Sequence, residues 1–328
     1  MYNWYKGKSV AITGGLGFLG SNLAHELVYL GAKVTIIDSL LPLYGGNLFN
    51  IKGIENRVNV NYADIRDEGA MKALVRDKDV IFHIAGQTSH VDSMTDPMLD
   101  VDINCRGNLV FLEACRQFNP EVKIVYAGTR AQYGAVKTTP VKEDAPLCPM
   151  DIYGVNKNAA EQYFMVYHKA YGMKVVSLRI SNTFGPRHQM KHGKYGIQNW
   201  IIRLAMDDET ISVYGDGSQL RDFNYVDDVS RALLMAGELE NSTGKVYNLG
   251  SGNPISFRQM VTTVIEIAGS GKIEFVDWPE DRKRIETGDY VADFNKIHNE
   301  LGWRPKTPFR KGMEKTIGFY RKYREHYW

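Results

Sequence analysis

The stretch VAITGGLGFLGSNLAHEL, residues 10–27, constrains this chain more than any other feature. An apolar run meets Gly14, Gly17 and Gly20 at three-residue spacing, and a helical pattern over 19–29 follows. Glycines there let the backbone turn sharply and approach a pyrophosphate, whose negative charge the helix N-terminus then faces. The β-branched run 33–37 ends in Asp38. A carboxylate at the end of a second strand binds adenosine ribose hydroxyls and repels a 2′-phosphate. No Arg or Lys follows Asp38 directly, so the pattern favours NAD over NADP. The cofactor residues expected from this half are Gly14, Gly17, Phe18, Leu19, Gly20 and Asp38. Asp64 and Ile65, after a third strand, are expected at the adenine. Ala85, in the small-residue exit of a fourth, is expected against the flat cofactor. His83 reads as a hydrogen-bonded core histidine, and Asn104 as a tie between helix and strand.

Short apolar runs at 9–12, 33–37, 58–62, 80–84, 123–126 and 175–179 alternate with helical patterns at 19–29, 104–118 and 152–171. That alternation predicts an α/β fold, a Rossmann-type doubly wound parallel sheet with helices on both faces. After Ile180 the pattern loosens into glycine turns (FGPRH, YGDGSQ), with helices expected at 196–206 and 227–238. The second of these reads as a return to the first domain. The expected division is 1–179 plus about 225–249 for the cofactor domain. A smaller mixed α/β substrate region would then take 180–224 plus 250–328.

The 40 basic and 38 acidic residues leave a formal net charge of +2, without long blocks of either sign. A nucleic-acid surface is therefore not expected. The densest basic cluster, Arg282 to Arg284, is too short to argue for a polyanion. Cys105, Cys115 and Cys148 have no metal-ligand spacing and form no even framework, which fits a reduced setting and no metal. No apolar run approaches a membrane span, and MYNWYKGKS lacks the apolar core of a signal peptide. The expectation is a cytoplasmic protein with no membrane or nucleic-acid partner.

IYGVNKNAAEQY places Tyr153 and Lys157 four residues apart, on one face of a helix. A phenol with its ordinary pKa of about 10 is a poor base at neutral pH. A neighbouring ammonium is expected to draw that value down and to bind the nicotinamide ribose. Upstream, YAGTRAQYG sets Thr129 at the exit of a strand, with Arg130 and Ala131 directly behind it.

These motifs, with HIAGQTSHVDS, SNTFGPR, GDGSQLRDFNYVDDV and LGWRP, cover nearly the whole chain. Together they resemble the extended short-chain dehydrogenase/reductases of the nucleotide-sugar epimerase and dehydratase group. The resemblance implies NAD in the first domain and a nucleoside-diphosphate sugar, a UDP-sugar above all, in the cleft. It implies that Thr129 and Tyr153 contact the sugar hydroxyl being oxidised, with Asn182 near the diphosphate and Arg221 on it. A second arginine of the family falls near Arg282 to Arg284, with Arg282 taken as the candidate. A homodimer is also implied, paired through the helices at 104–118 and 152–171.

Members of this group share a first step that gives a 4-keto sugar. The 4,6-dehydratases carry an Asp-Glu pair directly after the threonine, and uronate decarboxylases a glutamate at the second position. Here those positions are Arg130, which stays protonated, and Ala131, which has no proton to give. A 4-epimerase needs neither, since the keto sugar turns over and hydride returns to its other face. The expectation is therefore an NAD-dependent nucleoside-diphosphate-sugar 4-epimerase acting through Thr129, Tyr153 and Lys157. Uronate 4-epimerisation, 2-epimerisation and 4-ketoreduction stand behind it, with dehydration and decarboxylation further back. A non-enzymatic NAD-sensing or RNA-binding relative is the remote alternative. By the family match Arg130 stands at the C5–C6 end of the sugar, where a cation would suit a C6 carboxylate. The plainer expectation is that its long side chain turns away to a surface acid or the loop. Asn182 also counts against a uronate, because some uronate epimerases carry Thr there. His90 and Asp92, with Ser89 and Ser93, are candidates either for the sugar or for ordering their loop. Trp200, Phe223 and Tyr225 are expected in the core rather than at the nucleotide.

Overall fold

A computed structural model describes residues 3–41 and 44–328. The first half runs β1 (Ser9–Thr13), α1 (Phe18–Tyr29), β2 (Lys33–Asp38), β3 (Val58–Tyr62), α2 (Glu68–Leu74) and β4 (Val80–His83). It continues with α3 (His90–Thr95), α4 (Pro97–Val101), α5 (Gly107–Phe118), β5 (Lys123–Thr129), α6 (Ile152–Tyr171) and β6 (Lys174–Ile180). The second half runs β7 (Asn182–Phe184), α7 (Ile197–Met206), β8 (Thr210–Tyr214), β9 (Leu220–Arg221), β10 (Phe223–Tyr225), α8 (Val226–Glu238) and β11 (Lys245–Leu249). It closes with β12 (Ile255–Ser256), α9 (Phe257–Ala268), β13 (Lys272–Val276), α10 (Glu280–Lys283), α11 (Asn295–Leu301) and α12 (Phe309–Tyr323).

Seven strands form one sheet in the order β11-β6-β5-β4-β1-β2-β3, every neighbouring pair parallel. Parallel strands covered on both faces read as continuous apolar runs, and β4 is buried at every position. One core lies between the sheet and α1 and α8, and includes Ile12, Leu23, Phe82, Val176 and Leu233. The other lies between the sheet and α5 and α6, and includes Ile81, Phe111, Tyr126 and Phe164. The order in which successive strands are added reverses between β1 and β4, which opens a crevice at their C-terminal ends.

Several elements differ from the sequence reading. The strand at 123–126 extends to Thr129, because β6 continues to pair with it through Ile180. The helical run expected from 104 starts earlier, with α4, and passes through a π-turn at Asp102–Arg106 before α5. The loosened region after β6 contains three two-stranded sheets, β10-β7, β12-β9 and β13-β8. A third core, with Phe184, Ile202, Val213, Tyr225 and Val264, joins this region to α9 and α12.

α6 is fixed to the sheet by a buried network. Arg179 on β6 forks onto Glu161, with Nη2 to Oε1 at 2.6 Å and Nε to Oε2 at 3.1 Å. The Ser177 hydroxyl donates to the same carboxylate at 2.7 Å. Arg179 Nη1 donates to the Tyr133 hydroxyl at 2.6 Å, which donates onward to Asn248 Oδ1 at 2.7 Å. Glu161 is fully buried and Arg179 nearly so.

Candidate active site

The cleft above the crevice encloses about 750 Å³ and is lined from both halves of the chain. On the sheet side, Gly14 has φ +70°, and a Cβ there would stand 3.0 Å from the Ala85 backbone. Gly20 does not line the cleft; a Cβ on it would meet the Gly14 carbonyl oxygen at 2.2 Å, so its hydrogen lets α1 sit tightly on the loop. Gly17, at the N-terminus of α1, provides no side-chain cap, whereas Asp67 caps α2 and Asp151 caps α6. The first-turn N–H groups of α1 are thus left for backbone or ligand oxygens, an arrangement that suits an anion. Asp38 accepts from Leu16 N and Leu40 N, both at 2.9 Å, and burial pushes its carboxyl pKa up. Phe18, Leu19, Asp64, Ile65 and Ala85 also line the cleft. Asp64 is engaged by Arg66, which also reaches Asp102.

His83 lies outside the cleft as a core residue, with Nδ1 2.9 Å from Thr13 Oγ1 and Nε2 3.0 Å from Asn108 Oδ1. Burial drops its pKa to about 3, so the ring is neutral at pH 7. Asn104 donates to Gln87 O at 3.0 Å and to Asp100 Oδ1 at 3.1 Å. It thereby joins the π-turn to the segment after β4.

Thr129, Tyr153 and Lys157 come together on one wall of the cleft. The Thr129 side chain accepts from Ala131 N at 3.2 Å and is hydrogen-bonded to Tyr153. Lys157 donates to the Ala127 carbonyl at 2.8 Å and sits 4.3 Å from the centre of the Tyr126 ring. Burial lowers the lysine pKa to about 8, against the pull of Asp100 and Glu161. The expected lowering of the Tyr153 pKa is not found. Burial is the largest influence and raises it, Asp151 and Asp100 push the same way, and the Thr129 bond and Arg130 only partly oppose them. In a desolvated site the cost of forming a phenolate outweighs a cation that is shared with a carbonyl and another ring.

Asp151 caps α6 through Oδ1 to Gly154 N at 2.7 Å, and its Oδ2 meets His90 Nδ1 at 2.5 Å. The His90 ring packs edge-on against Tyr153, with centroids 4.9 Å apart. His90 therefore orders its own segment against α6 while lining the cleft, and Asp92 pairs with Lys194 at 2.9 Å. Ser89 caps α3, and Ser93 donates to His90 O at 2.8 Å. Trp200 lines the cleft, contrary to the core expectation, whereas Phe223 and Tyr225 are buried in the third core.

Arg130 does not turn away to a surface acid. It reaches across the cleft, with Nε to Asn182 Oδ1 at 2.9 Å and Nη1 to Thr287 Oγ1 at 3.1 Å. Arg221 is nearly buried, pairs with Glu286, and donates to Gly288 O at 2.6 Å. Of the basic run at 282–284, Arg282 lines the cleft. The sequence reading missed Asp151, Glu286 and Thr287. Asp151 was legible as an N-cap residue three positions ahead of Gly154, but the other two carry no local signal.

Among the described residues there is no group of three or more His, Cys, Asp or Glu placed to hold a metal ion. No described helix is long and apolar enough to cross a membrane.

Thr129, Tyr153 and Lys157 thus share one wall of a cleft above a parallel-sheet crevice, and Arg221 and Arg282 line the same cleft. Residues 11–316 match the family described as GDP-mannose 4,6 dehydratase. A putative UDP-glucose 4-epimerase of Methanocaldococcus jannaschii is 32% identical over 94% of this chain and 97% of its own. A dTDP-glucose 4,6-dehydratase of an Actinoplanes species is also 32% identical, over 95% and 97%. The solved Thermus thermophilus UDP-glucose 4-epimerase in complex with NAD superposes with a TM-score of 0.85 at 31% identity, covering 95% of this chain and 99% of that one. The chain belongs to the extended short-chain dehydrogenase/reductase family of nucleotide-sugar epimerases and dehydratases.

Proposed function

We propose that this protein is an NAD-dependent nucleoside-diphosphate-sugar 4-epimerase. The uncapped α1 N-terminus, Asp38 and the glycine contacts fit a dinucleotide, and a relative of the same fold is solved with NAD. NAD would accept hydride from the sugar and return it. In this reading 1–179 plus about 225–249 hold the cofactor, and 180–224 plus 250–328 the nucleotide sugar. Asp38 would receive the adenosine ribose, and Asp64, Ile65 and Ala85 would flank the cofactor. Tyr153 takes the proton from the 4-hydroxyl, which Thr129 orients through its own bond to the phenol. Lys157 reaches the nicotinamide ribose and keeps a positive charge under Tyr153. Arg221 and Arg282 suit the diphosphate, because a guanidinium fork matches phosphate oxygens. A homodimer through α5 and α6 is supported by exposed Val155, Val166 and Tyr171 on α6.

The observation that carries epimerisation is the position directly after Thr129. Arg130 is bonded to Asn182 and Thr287, and Ala131 is a buried methyl, so no acid–base pair stands there for loss of water. One observation favours the second reading, a dehydratase: His90 and Asp151 form an acid–base pair beside the Tyr153 ring. Both Asp151 oxygens are already engaged, which ranks this reading second. The test is incubation with NAD and UDP-glucose, UDP-N-acetylglucosamine or UDP-glucuronate, with products followed by NMR. Interconversion at C4 alone sustains the proposal; a 4-keto-6-deoxy product or carbon dioxide release refutes it.

A further inference from the structure

Arg130 follows Thr129 directly, so a hydroxyl held by Thr129 and Tyr153 lies beside the root of this arginine. Its partners Asn182 and Thr287 are neutral, as is the Tyr290 ring 5.4 Å from the guanidinium carbon. Among the described residues no carboxylate comes within ion-pair distance of it. Glu286 is held by Arg221, and Asp151 by His90 and the start of α6. Burial, reinforced by Arg221, lowers the Arg130 pKa to about 10, so the group remains a cation at neutral pH. A guanidinium offers five N–H donors, and two are used here. A half-buried cation with neutral partners keeps part of its desolvation cost, which an arriving anion offsets. Asn182 gives its oxygen to Arg130 and keeps its amide N–H₂ as a further donor for the same anion.

The place of this charge narrows what the anion is. In a hexopyranose bound with its 4-hydroxyl on Thr129 and Tyr153, the neighbouring ring carbon C5 carries C6. C6, two bonds from the reacting carbon, is the position that exists as a carboxylate in a common sugar. Two other arginines, Arg221 and Arg282, line the cleft and suit the diphosphate.

We propose that Arg130, Asn182 and Thr287 form a carboxylate-recognition site and that the sugar of the bound nucleotide is a hexuronate. This rests on the reading of Thr129 and Tyr153 as the pair that receives the 4-hydroxyl. The rival source of the anion is the ligand's diphosphate.

Calorimetric titration of the NAD-loaded protein with UDP, UDP-glucose and UDP-glucuronate separates the two. The wild type is expected to bind UDP-glucuronate at least about tenfold more tightly than UDP-glucose. Arg130→Gln should lower that ratio by about 10- to 100-fold, the range for a hydrogen-bonded charge. Arg130→Lys should retain part of it. The ratio cancels whatever the base and diphosphate contribute, so a preference for another base leaves it readable. Circular dichroism checks that each variant is folded. Equal weakening of all three ligands by Arg130→Gln assigns the arginine to the phosphates and overturns the proposal. A wild type that binds glucose and glucuronate forms alike also overturns it. Release of carbon dioxide from UDP-glucuronate, with the ratio intact, sustains the carboxylate site while refuting epimerisation.

Discussion

The buried Glu161–Arg179 pair gives a quantitative test of how α6 is held. Glu161→Gln keeps shape and volume, so no cavity arises, but it leaves the Arg179 guanidinium with no carboxylate at its fork. Tyr133 and the Glu143 carbonyl remain as its neutral acceptors. Removing one partner of a buried pair costs about 3–5 kcal/mol, mostly the penalty of the stranded charge. An unfolding entropy of about 2.1 cal/mol/K per residue sums to about 0.7 kcal/mol/K over this chain, so the melting temperature should fall by about 4–7 °C. Replacing both, as Glu161→Met with Arg179→Met, removes both charges together and should recover most of the loss. The coupling between the two sites should exceed about 2 kcal/mol. Urea unfolding followed by circular dichroism, with calorimetry alongside, measures the wild type, Glu161→Gln, both methionine single variants and the double variant. Glu161 lies on the same helix as Tyr153 and Lys157. Turnover by the single variant should therefore fall at temperatures where its far-ultraviolet spectrum is still native. A cost below about 1 kcal/mol for Glu161→Gln, or a double variant as unstable as the sum of the singles, would refute the reasoning.

Tyr153→Phe should lower kcat by about 10²- to 10⁴-fold with little change in NAD affinity, as steady-state rates and fluorescence titration would show. Lys157 predicts opposite pH trends for stability and activity. Its folded pKa of about 8 is below the usual 10.5, so the desolvation cost is present in full below 8. Stability is then regained between 8 and 10.5 as the unfolded chain keeps its proton and the folded one does not. Activity needs the ammonium and should decline above pH 8, a limb that Lys157→Arg moves upward; a rate flat to pH 9.5 would contradict this. Asp38→Ala should weaken NAD by about tenfold or more and narrow the preference over NADP, measured by titration with both.

The cofactor half was legible because its signals are local. Apolar runs buried on both faces mark parallel strands, and the Gly14 to Gly20 spacing with Asp38 marks the crevice. The tyrosine and lysine were legible from helical spacing only together with the dinucleotide loop and the hydroxyl at the exit of β5. The electrostatics of Tyr153 were not, because its pKa is governed by burial, which depends on packing from outside its helix. The π-turn before α5 was missed because its residues fit an ordinary helix equally well. Arg130 was misjudged in direction because its partner Thr287 lies 157 residues away, beyond any local pattern. The sheets β10-β7, β12-β9 and β13-β8 were likewise hidden, since pairings of two to five residues depend on distant segments.

The segment between α10 and α11 places Thr287 on Arg130 and Glu286 on Arg221, and Ala292 bridges to Val141. In the proposed reading none of the residues assigned to NAD comes from it. On that reading this strap bears on the sugar and not on hydride transfer, and it meets the reacting wall through Arg130, the neighbour of Thr129. A descendant could exchange this short strap and acquire a new substrate while its redox machinery stayed unaltered.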